Sequence, residues 1–225
     1  MLTLHHLENS QSIRILWLLE EVGLDYDFKM YDRDPKTMLA PDEYKALSPL
    51  GTAPVITDGS ITLAESNAII DYILDKANAK PWRPDSGSKN RPAYLFWFHT
   101  AQGSFQSILT TGFVLSLTVQ RTPALIRPLI NKVLSVLQDN FVKPRLTRIL
   151  EKMEADLSTS KFLAGGRITG ADIAVGYTLD MAAMRGLLNS YPECAAYLQR
   201  MKDRPAYKAA LKKDGKFTGI PTRKT

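Results

Sequence analysis

The chain has 225 residues, 44% of them hydrophobic and 23% charged, and a formal net charge of +6. That suits one large or two small globular domains with a proper core. No apolar run approaches the ~20 residues that span a bilayer, and the opening Met-Leu-Thr-Leu-His-His lacks the basic-then-apolar order of a secretory signal. Cys194 is the single cysteine, so no internal disulfide can form and cytoplasmic residence is expected. Charge divides unevenly: residues 1–80 carry 7 Lys/Arg against 13 Asp/Glu, whereas residues 81–225 carry 22 against 10. The split predicts two modules, the second with a solvated basic surface able to attract anions. Residues 199–225 hold 9 Lys/Arg against 2 Asp/Glu but little aromatic interleaving, so nucleic-acid binding is not expected. His5, His6 and His99 lack a matching cysteine set, which argues against a metal site. Leu163-Ala-Gly-Gly166 is not followed by the Lys-Ser/Thr of a phosphate loop.

In chain order, residues 2–7 read as a strand. Ile15, Leu18, Leu19 and Val22 then repeat at helical spacing, with Gly23 as a stop. Tyr26, Phe28 and Met30 alternate with Asp27 and Lys29, the period of a half-buried strand. A loose helical segment lies at 41–47. A hairpin over 54–63 is predicted to turn at Asp58-Gly59, with Pro54 at the start of its first strand. Ile70, Ile73, Leu74 and Ala77 form another helical stripe. Strands interleaved with helices predict a small mixed α/β layer. Residues 79–90, with Pro81, Pro84 and Gly87, read as a linker. Asn90 and Pro92 fit a helix cap and an early helical proline. Helices are expected near 91–118, 124–157, 170–188, 192–202 and 204–213, with Pro144 breaking the second. Thr169-Gly-Ala-Asp172 reads as a capping box, with Ile168 and Ile173 spaced as a hydrophobic staple. The domains are therefore drawn at 1–80 and 91–225, with 81–90 between them.

The stretch Ser48-Pro-Leu-Gly-Thr-Ala-Pro-Val-Ile-Thr-Asp-Gly-Ser-Ile-Thr-Leu-Ala-Glu-Ser-Asn67 resembles the glutathione-binding half of the cytosolic glutathione S-transferases. So do Ser10-Gln-Ser-Ile-Arg-Ile-Leu-Trp-Leu-Leu-Glu-Glu21 and Thr169-Gly-Ala-Asp172. Leu47-Ser-Pro-Leu-Gly51 and Trp97-Phe-His-Thr-Ala-Gln-Gly-Ser104 are most similar to the bacterial and fungal members, and the loop at 8–12 to their serine-type branch. The resemblance implies a thioredoxin-like N-terminal domain, an all-helical C-terminal domain and a homodimer. It also implies glutathione as co-substrate, no tightly bound cofactor, and a detoxifying transfer to a small hydrophobic electrophile. Organic hydroperoxides are an alternative target of the same thiolate. A rival expectation is a non-catalytic protein of this fold that binds a macromolecular partner.

Such a transferase must turn a thiol with a pKa near ~8.5 into a thiolate at neutral pH, and a shift of about two units takes ~2.7 kcal/mol. A hydroxyl or amide donor beside a helix N-terminus can supply it. By the resemblance Ser10 is that donor, with Asn9, Ser12 and His6 as rivals; Ser10 also reads as a plain helix cap. No tyrosine or cysteine stands in the loop. Ser66 is expected to receive the γ-glutamyl carboxylate, Glu65 the amino group, and the Ala53 backbone, ahead of a cis Pro54, the cysteinyl unit. Thr52 replaces the Lys or Arg common there, leaving Lys36, Tyr44 or Lys45 for the glycyl carboxylate. Tyr94, Phe98, His99, Gln102 and Phe105 share helical spacing and are candidates either for the electrophile pocket or for the core.

Overall fold

The computed structural model describes residues 1–215, 217 and 218. The remainder of the expected second module, Lys216 and residues 219–225, lies outside them. The four strands β1 (Leu2–Leu7), β2 (Asp27–Tyr31), β3 (Val55–Asp58) and β4 (Ile61–Ala64) form one sheet in the order β2-β1-β3-β4. β1 pairs parallel with β2 and antiparallel with β3, and β3 pairs antiparallel with β4. β1 is central and buried along nearly all its length, so it does not alternate. The edge strand β2 keeps the period of two read from Phe28 and Met30.

The hairpin turn is shifted one residue from the expected Asp58-Gly59. Asp58 pairs with Ile61, so the two-residue loop is Gly59-Ser60, with Gly59 at φ +59°. Asp58 is held in the strand because its carboxylate accepts from the Tyr72 hydroxyl at 2.8 Å and pairs with Lys76 at 2.7 Å.

Helix α1 (Ile13–Val22) ends at Gly23, whose left-handed φ of 65° turns its N–H onto the Leu19 carbonyl at 3.0 Å. The short α2 (Asp42–Lys45) covers one face of the sheet, where Tyr44 joins Leu7, Tyr31 and Val55. α3 (Ser66–Lys76) covers the other. The expected linker contains a single 3₁₀ turn, Lys80–Trp82, and Arg83 ties it back to Asp71 and Asp75 at 2.8 and 2.7 Å.

Helices then follow without a strand among the described residues: α4 (Arg91–Thr100), α5 (Ser107–Arg121), α6 (Arg127–Leu137), α7 (Lys143–Thr159), α8 (Gly170–Ala183), α9 (Pro192–Lys202) and α10 (Pro205–Asp214). Two differences from the expected spans have clear causes. The helices expected at 91–118 and 124–157 are each interrupted by a wider π-helical stretch, Ala101–Gln106 and Gln138–Val142. The second re-registers the ladder just before Pro144, which becomes the second residue of α7, where its missing N–H costs nothing. The helix expected to reach 188 stops at Ala183, and Gly186 follows at φ 71°. Asn90 takes the cap position of α4, but its side chain makes no capping bond. It lies instead against Gly165, where an added Cβ would come within 2.6 Å of Asn90 Nδ2.

The strand-bearing half and the helical half share one apolar core. Trp17 of α1 lies on Gly176 of α8, where an added Cβ would sit 2.9 Å from the indole. Gly170 likewise meets Leu74, Ile70 and Tyr94. The expected capping box starts α8, and Asp172 does more than cap. Its carboxylate accepts from Thr169 N–H (2.7 Å) and hydroxyl (2.9 Å), Leu163 N–H (3.0 Å) and the Tyr197 hydroxyl (2.7 Å). Burial pushes this carboxyl up, against the pull of those donors. The fold is the expected thioredoxin-like domain joined to an all-helical one. Asp172→Ala strands buried donors from three segments and is expected to destabilise the protein by about 3 kcal/mol or more. Urea unfolding measures this, and a loss below about 1 kcal/mol would show that water replaces the carboxylate.

Candidate active site

The sheet register gathers most of the candidate residues at one end. His5 of β1 faces Val55 of β3, and Val55 faces Ala64 of β4. So where β1 runs out into residues 8–12, β3 begins after Ala53-Pro54 and β4 ends at Glu65-Ser66. The Ala53–Pro54 peptide is cis. Ser66 is the first residue of α3, so its N–H is one of the helix's free donors, and the residue is buried. The exposed Glu65 before it sits at φ 74°, a conformation that a non-glycine residue holds only when its surroundings impose it. Thr52 is exposed. Of the three candidates for a glycyl contact, Tyr44 is fully buried, with its hydroxyl on the His5 carbonyl at 3.3 Å. Lys45 packs beside Gly51 and pairs with Asp42 at 2.9 Å, and Lys36 is exposed on a loop.

The β1–α1 loop is tightly built. Ser10 Oγ lies 2.7 Å from both the Leu7 carbonyl and Ser12 Oγ. Ser12 is fully buried and reaches His6 Nδ1 at 3.0 Å. Asn9 takes a left-handed φ of 47°, and its amide oxygen accepts from Thr218 N–H at 2.7 Å and Oγ1 at 3.1 Å. Arg33 clasps the loop from β2's side, donating to the Glu8, Asn9 and Met38 carbonyls at 2.8, 3.3 and 2.9 Å. Neither the Ser10 nor the Gln11 backbone N–H has a partner among the described residues.

Of the five candidates for an electrophile pocket, Tyr94, Phe98 and Phe105 are buried in the common core, and Tyr94 and Phe98 line, together with the exposed His99, a surface depression that also includes Asp71, Arg83 and Arg91. Gln102 is the one of the five that reaches the loop, with Nε2 donating to Gln11 Oε1 at 3.3 Å. One turn on, Gln106 accepts from Thr178 of α8 at 2.7 Å. A groove of about 770 Å³ opens between α5, α6 and α7, with Leu109, Phe113 and Val142 on its walls.

The sequence pattern assigns no role to one residue of this region. Arg14, in the first turn of α1, is fully buried, and none of its guanidinium nitrogens has a hydrogen-bond partner among the described residues. It lies over the Tyr177 ring at 5.1 Å, and burial pushes its pKa down to about 10. An arginine inside an apolar helix stripe was the available signal. Among the described residues no cluster of His, Cys, Asp and Glu is placed to hold a metal, and no helix is long and apolar enough to cross a membrane.

Comparison with known proteins decides the family. Residues 10–76 match the model of the glutathione S-transferase N-terminal domain, and residues 131–214 that of the C-terminal domain. Glutathione S-transferase 3 of Schizosaccharomyces pombe is 31% identical over 217 residues, covering 95% of this chain and 88% of its own. The chain belongs to the glutathione S-transferase family. Glutathione S-transferase 1 of Saccharomyces cerevisiae is 26% identical over 95% of each chain. Among solved structures, a glutathione S-transferase from Actinobacillus pleuropneumoniae superposes with a TM-score of 0.79 at 30% identity, covering 100% of this chain and 97% of that one. One from Xylella fastidiosa gives 0.75 at 26% identity, over 96% and 99%. The N-terminal family match begins at Ser10 and encloses Arg14, Pro54 and Ser66.

A buried cation with no anionic partner lowers stability, because nothing offsets its lost hydration. Arg14→Met keeps much of the side-chain volume and is therefore expected to raise the unfolding free energy by about 1 kcal/mol or more. Chemical denaturation checks this, and a clear loss of stability would mean that the guanidinium is satisfied in solution.

Proposed function

We propose that this chain binds glutathione at the β1, β3 and α3 end of its sheet, activates the thiol, and transfers it to a small hydrophobic electrophile. The observation that carries the reading is the convergence of residues 8–12, Ala53-Pro54 and Glu65-Ser66 at one end of the sheet, in a chain of this family. The tripeptide lies extended, its cysteinyl amide pairing with the backbone at Ala53. The γ-glutamyl carboxylate sits on the start of α3, taken by Ser66 Oγ and the free N–H groups there. Glu65 receives the amino group. Lys45, which packs beside Gly51, takes the glycyl carboxylate in this reading.

Sulfur then faces the β1–α1 loop. Ser10 is the principal contact, supported by the side-chain N–H₂ of Asn9, whose oxygen is engaged by Thr218, and by the unengaged N–H groups of Ser10 and Gln11. A thiolate so held attacks the electrophile at carbon, or an organic hydroperoxide at oxygen. The electrophile approaches past Gln102 from the groove walled by Leu109 and Phe113. The molecule acts as a cytoplasmic homodimer in detoxification, and the exposed Leu95 and Phe96 of α4 are candidates for its interface.

Ser10→Ala is expected to cut turnover with a chloronitrobenzene by ~10-fold or more while the glutathione Kd changes little, because the lost contact acts on the reacting sulfur. Unchanged turnover would pass the role to Asn9. Ser66→Ala is expected to weaken glutathione binding by roughly 1.5–3 kcal/mol by calorimetry, the size of a hydrogen bond to a charged group. An unaltered Kd would remove Ser66 from the site.

A further inference from the structure

A buried run of polar side chains leads inward from Ser10. Ser10 Oγ is 2.7 Å from Ser12 Oγ, Ser12 Oγ is 3.0 Å from His6 Nδ1, and His6 Nε2 is 2.7 Å from Asp214 Oδ2. The His6 and Asp214 side chains are both 0% exposed, and Ser12 is sealed as well. With Nε2–H donating to Asp214, His6 presents a lone pair at Nδ1 and can accept from Ser12, which in turn can accept from Ser10. Every donor then points away from the surface. The second acceptor near Ser10, the Leu7 carbonyl, is also 2.7 Å away but leads to no base.

A histidine flanked by a hydroxyl on one nitrogen and a carboxylate on the other is the arrangement that lets imidazole take up a proton, because the carboxylate stabilises the imidazolium. Packing alone does not require it, since an apolar residue at position 6 would fill the space beside Phe28 without burying charge.

We infer that Ser10, Ser12 and His6 form a proton relay that removes the thiol proton, with Asp214 as the positioning carboxylate. This rests on the reading that glutathione sulfur meets the β1–α1 loop. The thiol S–H bond breaks as its proton passes to Ser10 Oγ. The Ser10 proton moves to Ser12 Oγ, and the Ser12 proton to Nδ1 of His6. One N–H bond forms, the sulfur keeps its electron pair as thiolate, and the positive charge stays on His6 against Asp214. No other reactant is consumed, and the proton returns outward along the same hydroxyls once product leaves. Among the described residues, the groups facing His6 are Ser12 from the loop, Asp214 from α10 and the Phe28 ring from β2. Lys213, next to Asp214, turns to Glu20 and Tyr26 at 3.2 and 2.8 Å.

The relay makes thiolate without giving its proton to solvent, which a purely structural network would not do. Glutathione is mixed with the full-length protein in weak buffer about two units below the ~8.5 of a free thiol. The ultraviolet thiolate band and the colour of a pH indicator are then followed together. The expected result is a thiolate band accompanied by far less than one proton released per site. In Ser12→Ala each thiolate should release about one proton, and Ser12→Thr, which keeps the hydroxyl, should behave as the parent. One proton released per thiolate in the parent would overturn the relay and leave the transferase reading standing; this result needs no variant to fold. Unchanged proton release in a folded Ser12→Ala would overturn it too. No thiolate band at all would overturn the transferase reading and the relay with it.

Discussion

The antiparallel pairing of β1 with β3 is the constraint on which the candidate site depends. One register, His5 against Val55, fixes where three separate segments end. A slip of one residue would turn Val55 and Ile56 from the cores they fill to the opposite faces of the sheet, so the register is held by buried area on both sides. The backbone at 53–54 and the start of α3 therefore inherit their positions from hydrophobic packing. None of the polar residues at the site has to set the geometry by itself, and the positive φ of Glu65 can be borne because the strand before it and the helix after it are both fixed.

The β1–α1 loop is held differently, by long-range polar links to the end of the helical half. Glu21 of α1 receives Arg204 and the Trp17 indole N–H, Trp17 meets Tyr207 edge-on, and His6 meets Asp214. Further along, Phe217 lies by Tyr177, and Thr218 satisfies Asn9. α1 is thus clamped between α8, through Gly176, and α10. The loop that would face sulfur is built as much by residues near position 210 as by its own, so changes in α10 reach a loop at the other end of the sequence.

How much of this was readable beforehand follows from the range of the interactions. The apolar stripes at 15–22 and 70–77, the Gly23 stop and the Thr169–Asp172 cap are local, and each occurs as read. The hairpin was legible, but its loop was placed one residue early because Asp58-Gly59 is itself a turn sequence. What keeps Asp58 in the strand are Tyr72 and Lys76, 14 and 18 positions away. The π-helical stretches left no mark in the periodicity beyond Pro144. For the site, the motif residues at 52–54 and 65–66 meet because sheet pairing brings them together. The aromatic set around 94–105 could not be sorted into pocket or core from spacing, because it depends on which face α8 covers. Helix α8 is buried nearly all round, so periodicity does not give its orientation.

Two buried cations, one actual and one conditional, sit within a turn of the loop and are treated in opposite ways. Arg14 carries its charge against an aromatic face with no hydrogen-bonded carboxylate among the described residues, whereas the charge proposed for His6 arises opposite a carboxylate already in place. In a medium of low polarity the first arrangement favours any anion that approaches, and the second favours a proton arriving from within. On the proposed reading, a thiolate formed at the loop would gain from both, through the field of Arg14 and through proton uptake by His6. Each element costs stability in the resting protein, through an unpaired guanidinium in one case and a desolvated carboxylate in the other. The long clamp from α10, with Arg204 on Glu21 and Tyr207 on Trp17, supplies stabilisation at the same place. The helical half, on that reading, makes a costly arrangement of charges beside the thioredoxin-like sheet energetically sustainable.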